Sequence, residues 1–138
     1  MASETPVPDD IPDEGAVLTH ERTFTAAEVI KFGELTGDQQ PIHSVPDDEG
    51  RLMVQGLLSG SLMTEIGSDL GYIARTIEYE FLEPVYTGDT IAVECTITSK
   101  TEQADRTLLE IDVTFSNDRG AVVIEASTTG LVWTGDRP

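Results

Sequence analysis

The sequence predicts a single α+β domain in which one long central helix packs against an antiparallel β-sheet. Three observations carry the prediction. The C-terminal half alternates apolar and polar residues with period two, in segments joined by short turns, as antiparallel strands with one buried face do. The segment Leu52–Leu70 instead places Leu57, Leu58, Ser61, Leu62, Ile66 and Leu70 at helical spacing. A chain of 138 residues is long enough for one domain with a buried core, and a helix buried against one sheet is a two-layer design.

Each element has its own local reason. Residues 1–16 are rich in Pro, Asp and Glu and are expected to form a mobile or surface-draped tail, leaving residues 17–138 as the domain. Val17 to Phe24 is a candidate strand. Thr25-Ala26-Ala27-Glu28 matches a capping box, with Phe24 and Val29 placed for a hydrophobic staple. The helix from Ala26 should end near Thr36, where Gly37 offers a left-handed cap. The central helix should start near Gln55 or Gly56. Its glycines, Gly56, Gly60 and Gly67, each cost about 1 kcal/mol relative to alanine, so the helix is expected to lie close against other backbone. Ile77, Tyr79 and Phe81 share a face of the next strand. Ile91, Val93, Cys95 and Ile97 share a face of another, as do Leu109, Ile111, Val113 and Phe115, and Val122 to Trp133 forms the last. Cys95 falls in the apolar alternation and reads as a small buried hydrophobe; a single cysteine excludes an intrachain disulfide framework.

Charge narrows the function classes. The chain carries 26 acidic and 8 basic residues, a net charge of −18, and only Lys31 and Lys100 are lysines. Nucleic acids and anionic membranes require basic patches, so neither is an expected partner. No apolar run reaches the length of a membrane span, and the N-terminus lacks a signal-peptide pattern. A cytoplasmic location is the expectation.

The stretch richest in chemistry is Gly37-Asp38-Gln39-Gln40-Pro41-Ile42-His43, with a carboxylate and an imidazole five residues apart. Helix-face charge pairs use spacings of three or four, and Gly37 and Pro41 bar a continuous helix. The segment therefore reads as a rigid loop bearing an acid/base pair, since a carboxylate beside a histidine can orient it or share its proton work.

Together with two later motifs, this loop resembles the MaoC-like hydratase/dehydratase family of the hot-dog fold. The family pattern runs roughly G-D-x-N-P-x-H, H-G-M-L-x-x-S-L and F-x-x-P-V-x-x-G-D. This chain has the loop above, then Gln55-Gly56-Leu57-Leu58-Ser59-Gly60-Ser61-Leu62, then Phe81-Leu82-Glu83-Pro84-Val85-Tyr86-Thr87-Gly88-Asp89. The resemblance covers roughly Val17 to Trp133. It implies hydration of an enoyl-thioester to an (R)-3-hydroxyacyl-thioester, or the reverse, with Asp38 and His43 as the catalytic pair. It also implies the Gly56 amide as oxyanion donor, Thr64 as a water-holding hydroxyl, and Gln40 and Gln55 at the substrate end of the site. Gln40 stands where the family has Asn, and Gln55 where it has His. No cofactor or metal is implied beyond a CoA or acyl-carrier thioester as substrate. A homodimer, or a multiple of one, is expected, because open sheet edges are usually paired or covered.

Two other readings compete. A hot-dog thioesterase would use a carboxylate on the central helix, and Glu65 is placed for that role. A non-catalytic acyl-thioester binding module is the other. Arg51, Arg75 and Arg106 are candidates for contacting CoA phosphates, with Arg51, just ahead of the central helix, favoured.

The dispersed acid fits a surface adapted to high salt. Self-repulsion should destabilise the compact state in dilute buffer. Because the screening length falls from ~10 Å at 0.1 M salt to ~3 Å at 1 M, the melting temperature should rise steeply over that range of KCl. A flat profile in differential scanning fluorimetry would rule out salt adaptation as the reason for the charge.

Overall fold

The computed structural model describes residues 10–135; most of the expected N-terminal tail, residues 1–9, lies outside them. The elements are β1 (Val17–Thr23), α1 (Ala26–Thr36), a single 3₁₀ turn (Pro41–His43), α2 (Gly56–Gly60), α3 (Met63–Leu70), β2 (Tyr72–Phe81), β3 (Thr90–Glu102), β4 (Arg106–Ser116) and β5 (Val122–Trp133). The strands form one sheet in the order β1-β3-β4-β5-β2, and every neighbouring pair is antiparallel. Ile91, Val93, Cys95 and Ile97 of β3 and Leu109, Ile111, Val113 and Phe115 of β4 are buried, and they meet Val29, Leu62 and Ile66 from the helices in one core.

Local signals set α1. Thr25 Oγ1 accepts the Glu28 amide at 3.2 Å and Glu28 Oε1 accepts the Thr25 amide at 2.9 Å, closing the capping box. Phe24 and Val29 are both buried. Gly37 ends the helix at φ 82°, its N–H bonded to the Gly33 carbonyl.

The central helix differs from expectation in two ways. It begins at Gly56, but it is two short helices joined through Ser61 and Leu62. Both joining residues keep right-handed helical angles, yet the amides of Leu62, Thr64 and Glu65 bond three residues back, to Ser59, Ser61 and Leu62. The hydroxyls explain the tightening. Ser61 Oγ donates to the Leu58 carbonyl at 2.5 Å and Thr64 Oγ1 to the Ser61 carbonyl at 2.6 Å, competing with the ordinary i→i−4 ladder. Gly56 and Gly60 do not face backbone either. A Cβ on Gly56 would lie 2.7 Å from the Phe81 ring and one on Gly60 would lie 2.8 Å from the Tyr79 ring, so the close partners are aromatic side chains of β2.

β2 starts directly after the Gly71 cap, several residues earlier than the alternation around Ile77 indicates. Its register against β5 shifts between Ala74 and Thr76, which lets Tyr72, Ala74 and Ile77 border the same cavity. Ile73, Ile77 and Phe81 are roughly half exposed on this outer strand. At the other end, the stretch before β1 is tied to β3: Lys100 Nζ donates to the Ile11 carbonyl at 2.8 Å and pairs with Asp13 at 3.1 Å, and Gly15 N–H bonds to Ile97 O at 2.8 Å. Among the described residues, no helix is long and apolar enough to cross a membrane.

Candidate active site

The helix stop and the proline together build the loop that carries Asp38 and His43. Gly37 turns the chain out of α1, and Gln40 takes the extended conformation (φ −61°, ψ 138°) that a following proline favours. Pro41 then opens the 3₁₀ turn that ends on His43, which is 7% exposed. His43 Nδ1 lies 2.6 Å from the Met53 carbonyl oxygen, and the Met53 N–H bonds back to the Ile42 carbonyl at 2.9 Å. A carbonyl only accepts, so Nδ1 carries the proton, and in the neutral ring Nε2 presents its lone pair. That nitrogen faces Asp38 Oδ2 at 3.5 Å, beyond ordinary hydrogen-bond length. Two proton acceptors thus converge without satisfying each other.

Gln40 settles which carboxylate oxygen does this. Its side-chain amide donates to Asp38 Oδ1 at 3.0 Å, leaving Oδ2 for His43. The longer amide at this position folds back onto the carboxylate it follows. The Gln40 side-chain amide is the chief cause holding the Asp38 carboxyl below the usual carboxylate range; partial burial opposes it, and the Gln40 backbone N–H and the nearby imidazole add to it.

Both groups open onto a cleft of about 480 Å³ also bordered by Gly56, Leu57, Ser59 and Phe81. Gly56 is the first residue of α2, so its N–H has no acceptor within the helix. With α2 only five residues long, the donor is mainly this one amide, and the summed dipole expected of a long helix contributes less. Ser59 was not singled out from the sequence. It is buried, its Oγ donates to the Gly56 carbonyl at 3.1 Å, and its lone pairs remain able to accept from a water in the cleft. Its place three residues after Gly56, on the same helix face, was the available signal.

Other expected site residues lie elsewhere. Thr64 borders a separate, mostly apolar cavity of about 340 Å³ between α3 and the sheet, with Met63, Ile66 and Cys95, and burial pushes the Cys95 thiol up to about 11. The structure does not place Thr64 beside the pair, and Ser59 is the helix hydroxyl at the cleft. Gln55 is buried and turns toward α1, donating to the Val29 carbonyl at 2.8 Å. Arg51 Nε bonds Asp47 at 3.0 Å and its guanidinium stacks over Tyr86 at 3.9 Å. Arg106 is bonded to Asp105 and stacked over Trp133, and Arg75 is the extra residue at the register shift in β2. Glu65 pairs with His20 and approaches Arg22 of β1, outside the residues lining the cleft. No cluster of three or more potential metal ligands occurs among the described residues.

A five-stranded antiparallel sheet around a central helical segment defines a hot-dog fold, and Asp38, His43 and Gly56 border one cleft in it. The comparisons with known proteins agree. Residues 9–118 match the family model described as MaoC like domain, and the chain belongs to the MaoC-like family of hydratases and dehydratases. It is similar to a solved (R)-hydratase from A. caviae involved in PHA biosynthesis, with TM-score 0.77 and 25% identity over 88% of this chain and 96% of that one. It shares its fold with R-hydratase PhaJ1 from Pseudomonas aeruginosa, with TM-score 0.76 and 19% identity over 91% and 84% of the two chains. Among curated proteins it is similar to the mitochondrial 3-hydroxyacyl-[acyl-carrier-protein] dehydratase FERN of Solanum lycopersicum, 25% identical over 127 residues, 86% of this chain and 76% of that one.

The depressed Asp38 carboxyl makes a signed prediction. A group whose folded-state pKa is lowered contributes stability above its unfolded pKa and loses it as pH falls through the folded value. Gln40→Ala removes the main cause, so the Asp38 carboxyl should titrate closer to the ordinary aspartate value, and the stability it contributes above that pH should shrink, leaving less to be lost in acid. The ¹³C carboxyl titration by NMR checks this; an unmoved midpoint shows that Gln40 does not set it.

Proposed function

We propose that this chain catalyses the reversible hydration of a trans-2-enoyl-thioester to an (R)-3-hydroxyacyl-thioester, a step of fatty acid metabolism, with Asp38 and His43 activating the water. The observation that carries the reading is the pair of converging acceptors, His43 Nε2 and Asp38 Oδ2, 3.5 Å apart. One water seated between them donates a hydrogen bond to each. As its oxygen bonds C3, one O–H bond breaks and that proton passes to the pair. The electrons of the C2=C3 bond move onto the thioester carbonyl, whose developing charge the Gly56 N–H meets. The pair then returns a proton to C2. Atoms and charge balance with the pair restored. A CoA or an acyl-carrier thioester presents the same reacting atoms.

The hydrolytic alternative loses support from Glu65, which is engaged with His20 and Arg22. Hydration of crotonyl-CoA should be followed by loss of enoyl absorbance alongside free thiol release. Asp38→Asn and His43→Gln should each lower kcat at least ~100-fold with unchanged circular dichroism, while Glu65→Gln retains most activity. Near-normal hydration by either of the first two variants refutes the assignment, and thiol release abolished only in Glu65→Gln restores the thioesterase.

The active species is proposed to be a homodimer or a multiple of one. β1 and β2 are the outer strands of the sheet, and β2 is ten residues long with three half-exposed apolar side chains, the kind of edge proteins pair or cover. Light scattering in ~1 M KCl, where screening is short-ranged, should give twice the chain mass or a multiple; a fully active monomer contradicts this.

A further inference from the structure

The backbone of α1 touches both halves of the site. Gln55, the residue before the oxyanion donor Gly56, is 3% exposed, and its Nε2 donates 2.8 Å to the Val29 carbonyl. One turn on, Gly33 has no side chain to separate it from its neighbours: a Cβ there would lie 2.9 Å from the Asp38 carbonyl oxygen and 3.4 Å from Gln55 Nε2. The Gly33 carbonyl also receives the Gly37 N–H at 2.9 Å and the Gln39 side-chain amide at 3.0 Å. The loop carrying Asp38 and the start of α2 therefore rest on the same turn of α1.

The amide of Gln55 is only half used. Its Oε1 is buried without a hydrogen-bond donor. A buried acceptor left unpaired costs stability that an apolar side chain of similar length avoids. Its contribution must then lie in where it holds the chain. We propose that Gln55 is a positioning residue, a clamp that keys the start of α2 onto the Val29–Gly33 turn and so fixes the Gly56 N–H relative to the Asp38–His43 pair. Gly33 is the second half of the clamp, because only a bare backbone lets Asp38 and Gln55 approach together.

The inference rests on the hydration reading, and its test separates the two. Gln55→Leu keeps the volume, removes the donor and removes the orphaned oxygen. It should retain its melting temperature and the KM for crotonyl-CoA while kcat falls at least ~10-fold, as expected when reacting groups are misplaced without loss of substrate binding. Gln55→His places an N–H as many bonds from Cα and should recover most of kcat. Gly33→Ala should also lower kcat without raising KM. Wild-type kcat in Gln55→Leu or in Gly33→Ala overturns the clamp, as does a histidine variant no better than the leucine one. If Gln55→Leu fails to fold, the histidine and alanine variants decide. If the wild-type protein does not hydrate crotonyl-CoA, the hydration reading fails. The clamp is then judged by ¹H–¹⁵N spectra of the free protein. Gly56 and Asp38 amide resonances that move together in Gln55→Leu support it, and unmoved resonances overturn it.

Discussion

The stripe of glycine along the central helical segment sets the distances on which the site depends. Gly56, Gly60 and Gly67 fall on one helix face, at spacings of four and seven. The aromatic residues of β2 lie against that face. Phe81 covers Gly56, Tyr79 covers Gly60 and donates its hydroxyl to the Gly60 carbonyl at 3.0 Å, and Tyr72 comes nearest to Gly67. Phe81 and Tyr79 are themselves stacked, their centroids 5.5 Å apart. Side chains at Gly56 and Gly60 would displace the Phe81 and Tyr79 rings, and with Phe81 one wall of the cleft. The helical cost of these glycines is thus offset by contact with the aromatic rings of β2.

Electrostatics work on two scales. The overall charge is strongly negative, yet the few cations are mostly committed. Arg22 pairs with Glu28 and approaches Glu65, Arg51 bonds Asp47, Arg106 bonds Asp105, and Lys100 holds Asp13. Several also stack on aromatic rings, Arg51 on Tyr86 and Arg106 on Trp133, so their role is structural packing as much as charge. Asp47 is not a passive member of an acidic run: Oδ1 accepts the amides of Glu49 and Arg51 at 2.9 and 2.8 Å, closing the turn that Gly50 reverses. With these cations so engaged, the protein has little fixed positive charge to offer an anion at long range.

What was legible in the sequence was local. The capping box at Thr25, the stop at Gly37, the helix start at Gly56 and the alternation of β3 and β4 depend on neighbours within a few residues, and they appear in the structure where expected. So does the proximity of Asp38 and His43, because Gly37 and Pro41 fix the backbone between them. Features set by distant partners were not legible. The pairing of Glu65 with His20 requires β1 to lie beside α3. The direction of Gln55 requires α1 above it. The tightening at Ser61 and Leu62 depends on which carbonyls the hydroxyls choose. Thr64 shows the consequence, since a small change in helical phase carries a side chain from one cavity to another.

Gln40 and Gln55, the two departures from the family motifs, act on opposite sides of the same geometry. At Gln40 the additional methylene lets the amide fold back to Oδ1 of Asp38, which both lowers that carboxyl's affinity for a proton and frees Oδ2 to face the imidazole. At Gln55 the amide faces away from the cleft and meets α1. One glutamine therefore tunes the charge of the pair, and the other governs its distance from the amide across the cleft. A base and an oxyanion donor are useful together only when both are right: a well-ionised Asp38 displaced from the reacting carbon loses the benefit of its placement, and a well-placed carboxylate that is protonated cannot accept from water. In the proposed hydration, the two glutamines thus bear on separate variables of one reaction, the ionisation of the pair and its distance from the amide.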